Sequence, residues 1–137
     1  MDLVAREVVE ANFSRQPAMA LIGASLVVLD AGSVEVSFPF RADLTQQDGF
    51  IHAGIIATAA DSACGYAALS SMPEGSDVLS VEFKLNLLRP AAGERFVARA
   101  QVLKAGKTLT AVRADVFAFA DGHERLVAAM QATMIRR

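Results

Sequence analysis

Apolar and polar residues alternate along several stretches of this chain, the pattern of a β-strand with one buried face and one wetter face. The alternation is clearest in 33–40, where valine and phenylalanine alternate with polar or turn-forming residues. Together with the intervening turn residues, it predicts six strands: 21–29, 33–40, 77–88, 95–104, 108–120 and 125–135. Hairpin turns are predicted where glycine falls between neighbouring strands, at 30–32, 105–107 and 121–122.

Two segments follow a helical pattern instead. An amphipathic helix is predicted for 2–12, with its apolar stripe formed by Leu3, Val4, Val8 and Val9. Pro17 ends it, because the residue before a proline is disfavoured in a helix. A central helix is predicted for 53–69, which is rich in alanine and contains no proline. Its apolar residues surround the whole circumference, so we expect the rest of the protein to enclose it.

Two strands, one buried helix and four further strands predict an α+β domain, with an antiparallel sheet wrapped around the central helix. The 137 residues suffice for a single domain over 1–137 with a substantial core. Asp61 lies in the middle of the central helix. Burying a carboxylate is costly unless it has partners or a chemical task, so this residue is a candidate for function.

Composition limits the classes of function. Hydrophobic residues make up 53% of the chain and charged residues 20%, as in a packed globular domain. The longest apolar stretch is interrupted by Asp61, and the acidic N-terminal segment is unlike a signal peptide. The single cysteine excludes an internal disulfide and indicates a reducing, cytoplasmic location. Because Cys and His do not cluster in the sequence, no structural zinc site is expected.

The net charge of −2 conceals a segregation of charge. The segment 84–113 carries seven basic residues and one acid, whereas the remainder of the chain is acidic. A basic segment on an acidic protein favours a small anionic ligand over nucleic acid. The alternative is that the strands of this segment carry Lys and Arg on their solvent side.

The stretch 46–54, QQDGFIHAG, with Asp61 after it, resembles a motif of acyl-CoA thioesterases of the phenylacetate-degradation (PaaI) type. In that motif Asn or Gln, a glycine and His-Gly-Gly precede an Asp or Glu on the helix. The similarity continues through 80–83, 89–91 and 102–108, and so covers most of the chain from position 46 onward. It implies the hotdog fold, in which a sheet wraps around one long helix.

Two positions depart from the motif. Ala53 stands where the first glycine of the pair is usual, and its methyl group narrows the space above the start of the helix. Gln46 stands in place of Asn, and Gln at this position is found in relatives whose helical acid is Glu. Here the helical acid is Asp61, so this chain combines the Gln of one group with the Asp of the other.

The start of the central helix is suited to thioester chemistry. A thioester carbonyl gains negative charge when a nucleophile attacks it, and the first amides of a helix lack internal partners. Gly54 would let a substrate approach the backbone closely, so its N–H is the candidate oxyanion donor. His52 is expected to hold the loop or the carbonyl through its imidazole, or else to cap the helix structurally. Asp61 is the candidate general base or nucleophile, the alternative being a structural aspartate satisfied by nearby polar groups.

The spacing of these residues bears on the oligomeric state. Asp61 follows Gly54 by seven residues, which is about 10 Å along a helix. One helix cannot easily bring both to the same carbonyl, whereas two antiparallel helices side by side could. The spacing therefore favours a homodimer with composite sites, as the resemblance also implies, and leaves open whether dimers pair into a homotetramer.

The resemblance implies further roles. Gln46 would bind the attacking water or the carboxylate, and Ser80 would help to place that water. The phosphates of coenzyme A require a basic surface, for which the candidates are Arg89, Lys104, Gly106 and Lys107, the glycine through backbone amides. Ser62 and Cys64 are not expected to act as nucleophiles, because no histidine is positioned to form a triad with either. Cys64 is expected in the core.

These observations favour an acyl-CoA thioesterase that releases a carboxylate and free coenzyme A, without a metal or redox cofactor and without a nucleic-acid or membrane partner. One alternative is a hotdog dehydratase acting on hydroxyacyl thioesters. It is disfavoured because His52 directly precedes the helix and is not free to abstract a proton from the acyl chain. A non-catalytic acyl-CoA-binding module is the third interpretation, and the presence of Asp61 weighs against it.

Overall fold

The computed structural model describes residues 2–137. In chain order the elements are α1 (Arg6–Ser14), α2 (Pro17–Ile22), β1 (Ser25–Asp30), β2 (Ser33–Pro39), a short 3-10 turn (Ala42–Leu44), α3 (Ala53–Ser70), β3 (Val78–Leu87), β4 (Arg95–Ala105), β5 (Leu109–Ala120) and β6 (His123–Arg136). Within that part of the chain, no helix combines the length and the apolar character needed to cross a membrane.

The six strands form one antiparallel sheet in the order β1-β2-β4-β5-β6-β3. Hairpins join β1 to β2, β4 to β5 and β5 to β6, as the turn residues predicted. β-Bulges interrupt four of the five strand pairs, which bends a sheet and increases its twist. α3 packs on one face of this sheet and contacts β2 to β6. The predicted hotdog architecture is therefore confirmed.

Small side chains bring α3 close to the sheet. The helix buries alanines completely along the side that faces the strands, at positions 59, 60, 63 and 67. The opposing layer contains Phe38 and Phe96, whose rings stack with centroids 5.2 Å apart. Because interiors pack at near-crystalline density, the alanines of the helix and the large side chains of the sheet complement each other.

The prediction of a strand over 21–29 was wrong in its first part. Residues 17–22 form α2, and β1 begins only at Ser25. Pro17 occupies the first turn of α2, where its fixed φ suits a helix. Gly23 closes the helix with φ 70°, a left-handed conformation that favours glycine. The proline that ends the preceding helix thus also starts the next one.

The first helix was predicted over 2–12 but forms over Arg6–Ser14. The segment before it is extended, because the Val4 N–H donates to the Met72 carbonyl and Leu3 pairs with Pro73. Val9 is fully buried, whereas the neighbouring Val8 is exposed. The apolar stripe predicted from the sequence is therefore narrower than expected.

The central helix forms over Ala53–Ser70, one residue longer than predicted, but a single chain does not enclose it fully. Eleven of its residues are buried. One side stays partly or fully accessible along its length, and we call it the open strip: Gly54, Ala57, Thr58, Asp61 and Gly65. The prediction that the rest of the protein encloses this helix was therefore wrong for a single chain, because the residues of the open strip are not covered.

β3 is a terminal strand of the sheet and is unusually apolar for its position. It pairs with β6 on one side. Its side chains at positions 79, 81, 83 and 87 are each about half exposed, although the sequence alternation predicted a buried face. A long apolar edge strand with unpaired backbone groups is a site at which another strand can add.

Candidate active site

The start of α3 is capped by the histidine before it. Nδ1 of His52 accepts a hydrogen bond from the Gly54 N–H at 2.8 Å. Because Nδ1 is an acceptor, the neutral ring carries its proton on Nε2, which remains a donor. A Cβ on residue 54 would lie 3.0 Å from Nδ1, so glycine at this position leaves room for the cap. The structural role considered for His52 is therefore present, and the predicted oxyanion donor of Gly54 is already engaged.

Ala53 supplies the unengaged amide at this end of the helix. The N–H groups of Ile55 and Ile56 both donate to the His52 carbonyl, at 2.9 and 3.2 Å. Among residues 2–137, no acceptor is found for the Ala53 N–H. Ala53 also lines a pocket of about 390 Å³ with mainly apolar walls. The positive end of the helix dipole therefore meets this pocket at Ala53 rather than at Gly54.

Gln46 organises the loop that leads to the helix. Its Oε1 accepts from the backbone N–H of Asp48 at 2.5 Å and of Phe50 at 3.3 Å. Its own N–H donates to the Phe50 carbonyl at 2.8 Å. Gln46 lines the same 390 Å³ pocket as Ala53, so the loop and the helix start contribute to one cavity.

The structure brings the side chains of Asp61 and Ser80 together. The Ser80 Oγ–H donates to Asp61 Oδ1 at 2.6 Å. The bulge in β3 lies directly after Ser80 and keeps this residue opposite Met134, on the helix side of the sheet. Asp61 is half-buried on the open strip. The structure therefore supports a hydroxyl partner for the carboxylate and leaves the carboxylate accessible from one side.

Asp61 does not share a pocket with the start of its own helix. It lines a separate pocket of about 180 Å³, whereas Gln46 and Ala53 line the larger one. Asp61 follows Ala53 by eight positions, or about 12 Å along the axis. Within one chain, the candidate carboxylate and the candidate oxyanion donor therefore serve different cavities.

Sequence reasoning missed a cluster of polar side chains beside Asp61. The Tyr66 hydroxyl donates to Asn12 Oδ1 at 3.1 Å and accepts from Gln16 Nε2 at 2.7 Å. Gln16 Oε1 accepts from Ser62 Oγ at 3.1 Å. Burial raises the pKa of Tyr66, opposed by the hydrogen bond from Gln16, so its hydroxyl stays protonated. No local signal indicates this cluster, because α1 and α3 meet across about fifty positions of sequence.

Cys64 is the core residue that the sequence predicted, with no exposed surface. Burial, with a smaller contribution from the charge of Asp61, raises the pKa of the Cys64 thiol to about 12. The thiolate, which is the reactive form, is therefore scarce at neutral pH.

We expect Cys64 not to react with an aromatic disulfide reagent at pH 8 while the protein is folded, and to react once per chain in denaturant. Because the folded-state pKa lies above the ordinary value of 9.0, the unfolded chain loses this proton first as pH rises. The Cys64 contribution to the free energy of unfolding should then decline above about pH 9, measured by denaturant titration. If the free energy of unfolding of a Cys64→Ala variant fell between pH 9 and 11 by as much as that of the wild-type protein, this assignment would be contradicted.

The residues proposed for coenzyme A fall into two groups. Arg89 lies beside the 390 Å³ pocket and donates to the Leu126 carbonyl at 2.8 Å. The turn that contains Lys104, Gly106 and Lys107 lies at the opposite end of the sheet. β6 runs from one group to the other: its Ala128 pairs with Leu87, near Arg89, and its Ile135 pairs with Leu109, near the turn. This stretch of strand spans roughly 23 Å. One chain therefore does not bring Arg89 together with the two lysines.

Two arginines of the basic segment contact acidic and aromatic side chains on the outer face of the sheet. Arg99 forms ion pairs with Glu35 and Glu124 at 3.3 and 2.8 Å, and its guanidinium lies 4.5 Å from the Phe117 ring centroid. Arg95 covers the ring of Phe119. For these arginines the solvent-face interpretation is correct, which leaves Arg89 and the β4–β5 turn as candidates for anion binding.

Comparisons with known proteins agree with this architecture. Residues 48–123 match the family model of the thioesterase superfamily. A thioesterase family protein from Silicibacter pomeroyi is 54% identical, with a TM-score of 0.91 over 93% of this chain and 94% of that one. A conserved protein from Pseudomonas aeruginosa is 30% identical, with a TM-score of 0.83 over 97% and 99% of the two chains.

The PaaI protein of the E. coli phenylacetic acid degradation operon is 23% identical and superposes with a TM-score of 0.82 over 93% of this chain and 88% of that one. At that identity the likeness concerns the fold. The family match spans most of the loop after Gln46, the whole of α3 and the strands β3, β4 and β5. The chain therefore belongs to the thioesterase superfamily, as a thioester hydrolase with the hotdog fold.

Proposed function

We propose that this protein hydrolyses acyl-CoA thioesters in composite sites formed by two copies of the chain. The observation that carries the proposal is the position of Asp61. It lies on the open strip, holds a 2.6 Å hydrogen bond from Ser80, and lines a pocket separate from that of the helix start. A cytoplasmic location is part of the proposal, because Cys64 is a free thiol.

Asp61 acts in this proposal on the water that attacks the thioester. As general base, its carboxylate takes a proton from water while the water oxygen bonds to the carbonyl carbon. The carbon–sulfur bond then breaks, and the thiolate of coenzyme A takes the proton. In the other route Asp61 attacks the carbon itself, and water hydrolyses the resulting anhydride. Both routes consume one water and release a carboxylic acid and a thiol, and Ser80 orients the carboxylate in both.

The oxyanion is stabilised by the start of α3. The sequence suggested the Gly54 N–H, but His52 accepts that hydrogen bond. We therefore assign the oxyanion contact to the Ala53 N–H, supported by the helix dipole. Gly54 retains a positioning role through the His52 cap, and the Nε2–H of His52 is available to the substrate. Gln46 fixes the loop, and its amide N–H₂ is available to the attacking water.

Two surfaces support the homodimer. The open strip of α3 and the apolar edge of β3 lie uncovered in one chain, and each is suited to pair with its own copy about a two-fold axis. Antiparallel pairing would place Asp61 of one chain beside Ala53 of the other, which removes the separation of about 12 Å along one helix. Further pairing of dimers into a tetramer is compatible with this arrangement.

The same symmetry unites the two basic groups. Arg89 and the β4–β5 turn lie at opposite ends of one sheet. An antiparallel partner brings the end of one sheet to the beginning of the other, so Arg89 of one chain approaches Lys104 and Lys107 of its partner. We propose this junction as the surface for the phosphates of coenzyme A. The β4–β5 turn requires glycine at position 106, because a Cβ there would collide with the Leu109 carbonyl.

The test is hydrolysis of a panel of acyl-CoAs by the purified protein, with free thiol detected by a disulfide reagent. We expect thiol release from at least one acyl-CoA at a rate proportional to protein concentration. Because Cys64 is buried, the protein itself should contribute no background. Acyl-CoA that binds tightly without release of thiol would favour the non-catalytic binding module, and an enoyl product would favour the dehydratase.

A further inference from the structure

A second cavity continues from the 390 Å³ pocket at the start of α3 towards the β5–β6 turn. Its volume is about 770 Å³, and we call the part between Phe50 and Arg125 the turn groove. The two cavities form one continuous depression, because four residues line both of them: Phe50, Arg89, Pro90 and Val127. A ligand longer than the pocket can therefore extend from the start of α3 along the turn groove.

The register of β6 directs two basic side chains into the turn groove. His123 pairs with Ala120, and Arg125 pairs with Ala118. Side chains of directly paired residues lie on the same face of a sheet, and Ala118 is buried in the core beneath α3. His123 and Arg125 therefore project on the face that carries the start of α3, and both line the groove.

The charges along the groove favour an anion. Arg125 forms no ion pair with any acid among residues 2–137, and Arg89 donates only to a backbone carbonyl. Two acids also line the groove. Glu124 is neutralised by Arg99 at 2.8 Å, which leaves Asp121 at the tip of the turn as the unpaired acid. Two arginines without acidic partners suit a phosphate group, which guanidinium groups bind through charge-assisted hydrogen bonds.

Phe50 supplies a flat apolar surface at the junction of the two cavities. Its side chain is 36% exposed and lines both of them. The backbone of Phe50 is held by Gln46, which accepts from its N–H and donates to its carbonyl. Nucleic-acid bases stack on exposed aromatic rings of this kind. A stacking surface beside phosphate-binding cations, in a cavity of ligand size, indicates a site for a nucleotide.

We propose that the turn groove binds the 3′-phosphoadenosine end of coenzyme A, with Arg125 and His123 on the 3′-phosphate and Phe50 against the adenine. The inference rests on the proposed function, in which Arg89 and the lysines of the partner copy meet the diphosphate. It adds selectivity for the carrier of the acyl group. Adenine and the 3′-phosphate occur in coenzyme A but not in a pantetheine arm, whether that arm is free or attached to a carrier protein. The groove therefore favours coenzyme A thioesters over both.

Three thioesters of one acyl group test the inference: acyl-CoA, acyl-3′-dephospho-CoA and acyl-pantetheine. We expect kcat/KM to fall at least about tenfold when the 3′-phosphate is absent, as for a lost charge-assisted hydrogen bond. The loss should lie mainly in KM, because this group is remote from the scissile bond.

Two variants assign the loss to residues. Arg125→Ala should raise KM for acyl-CoA by about tenfold and leave KM for acyl-3′-dephospho-CoA nearly unchanged, since the second substrate lacks the group that Arg125 binds. Phe50→Leu should raise KM for both nucleotide-containing thioesters and not for acyl-pantetheine, as expected for lost stacking on adenine.

Arg6→Ala is the matched control. It also removes an arginine, but Arg6 lines a different pocket beside β1, at the edge of the sheet opposite β3. Its KM for each thioester should match that of the wild type. Equal kcat/KM for acyl-CoA and acyl-3′-dephospho-CoA in the wild-type protein would overturn the inference, as would faster hydrolysis of a carrier-protein thioester than of acyl-CoA. Absence of thiol release from every thioester would instead overturn the proposed function, so the two failures are distinguishable.

Discussion

Replacement of Asp61 by asparagine is expected to lower kcat for thioester hydrolysis by about 10²- to 10⁴-fold, the usual contribution of a positioned general base. Asparagine has nearly the same shape and its amide oxygen can still accept the 2.6 Å hydrogen bond from Ser80. The change therefore removes the basic oxygen with little disturbance of α3. Steady-state kinetics on the best acyl-CoA of the panel measure the loss.

Binding and folding serve as controls for this variant. The dissociation constant for acyl-CoA should stay within a few fold of wild type, because in neither route does Asp61 bind the coenzyme A moiety. Ser80→Ala should have a smaller effect on kcat, since it removes only the group that orients the carboxylate. An Asp61→Asn protein that hydrolyses at the wild-type rate would exclude both the general-base and the anhydride routes.

Replacement of Ala53 by proline is expected to lower kcat by about 10²- to 10³-fold, the cost of losing one oxyanion donor. Proline is favoured at the first position of a helix, and Ala53 is that position. His52 already has φ −60° and ψ 137°, the conformation that a residue before proline prefers. The variant should therefore fold normally and lack only the amide proton. Ala53→Gly keeps that proton and is the matched control, with activity near wild type.

Mixing the two inactive proteins tests the composite site. In a hybrid dimer of Asp61→Asn and Ala53→Pro chains, one of the two sites receives an intact aspartate from one chain and an intact amide from the other. Random exchange of subunits makes half of the dimers hybrid, so about a quarter of wild-type activity should return. Recovery is measured after denaturation and joint refolding. Should each site belong to a single chain, no activity would return at any mixing ratio.

Local signals predicted much of the fold. Turn residues located the hairpins around Gly32, Gly106 and Gly122, and the alanine-rich run gave the bounds of α3 to within one residue. These features depend on interactions among a few neighbouring residues, which a sequence displays directly. α2 was missed although its signals are local, because Pro17 ends one helix and begins another, and only the first role was considered.

The sequence proposed residues for the candidate site but not the contacts that they make. The sequence indicated Gln46, His52, Asp61 and Ser80, and the structure joins the last two. It offered two roles for His52, a helix cap or a contact to the carbonyl, and could not show that the imidazole caps the Gly54 amide, because the orientation of the ring depends on the backbone path around it.

The sequence by itself determined the order of the elements, the bounds of the central helix and the isolation of one acid within it, since each is written in periodicity and turn chemistry. Only the tertiary structure decided which groups meet: Ser80 with Asp61, and Tyr66 with Asn12 and Gln16. Such contacts join residues that are 19 to 54 positions apart. They depend on how α1, α3 and β3 pack, which no short window of sequence specifies. The uncovered strip of α3 and the exposed edge of β3 arise in the same way, because exposure is a property of the packed chain.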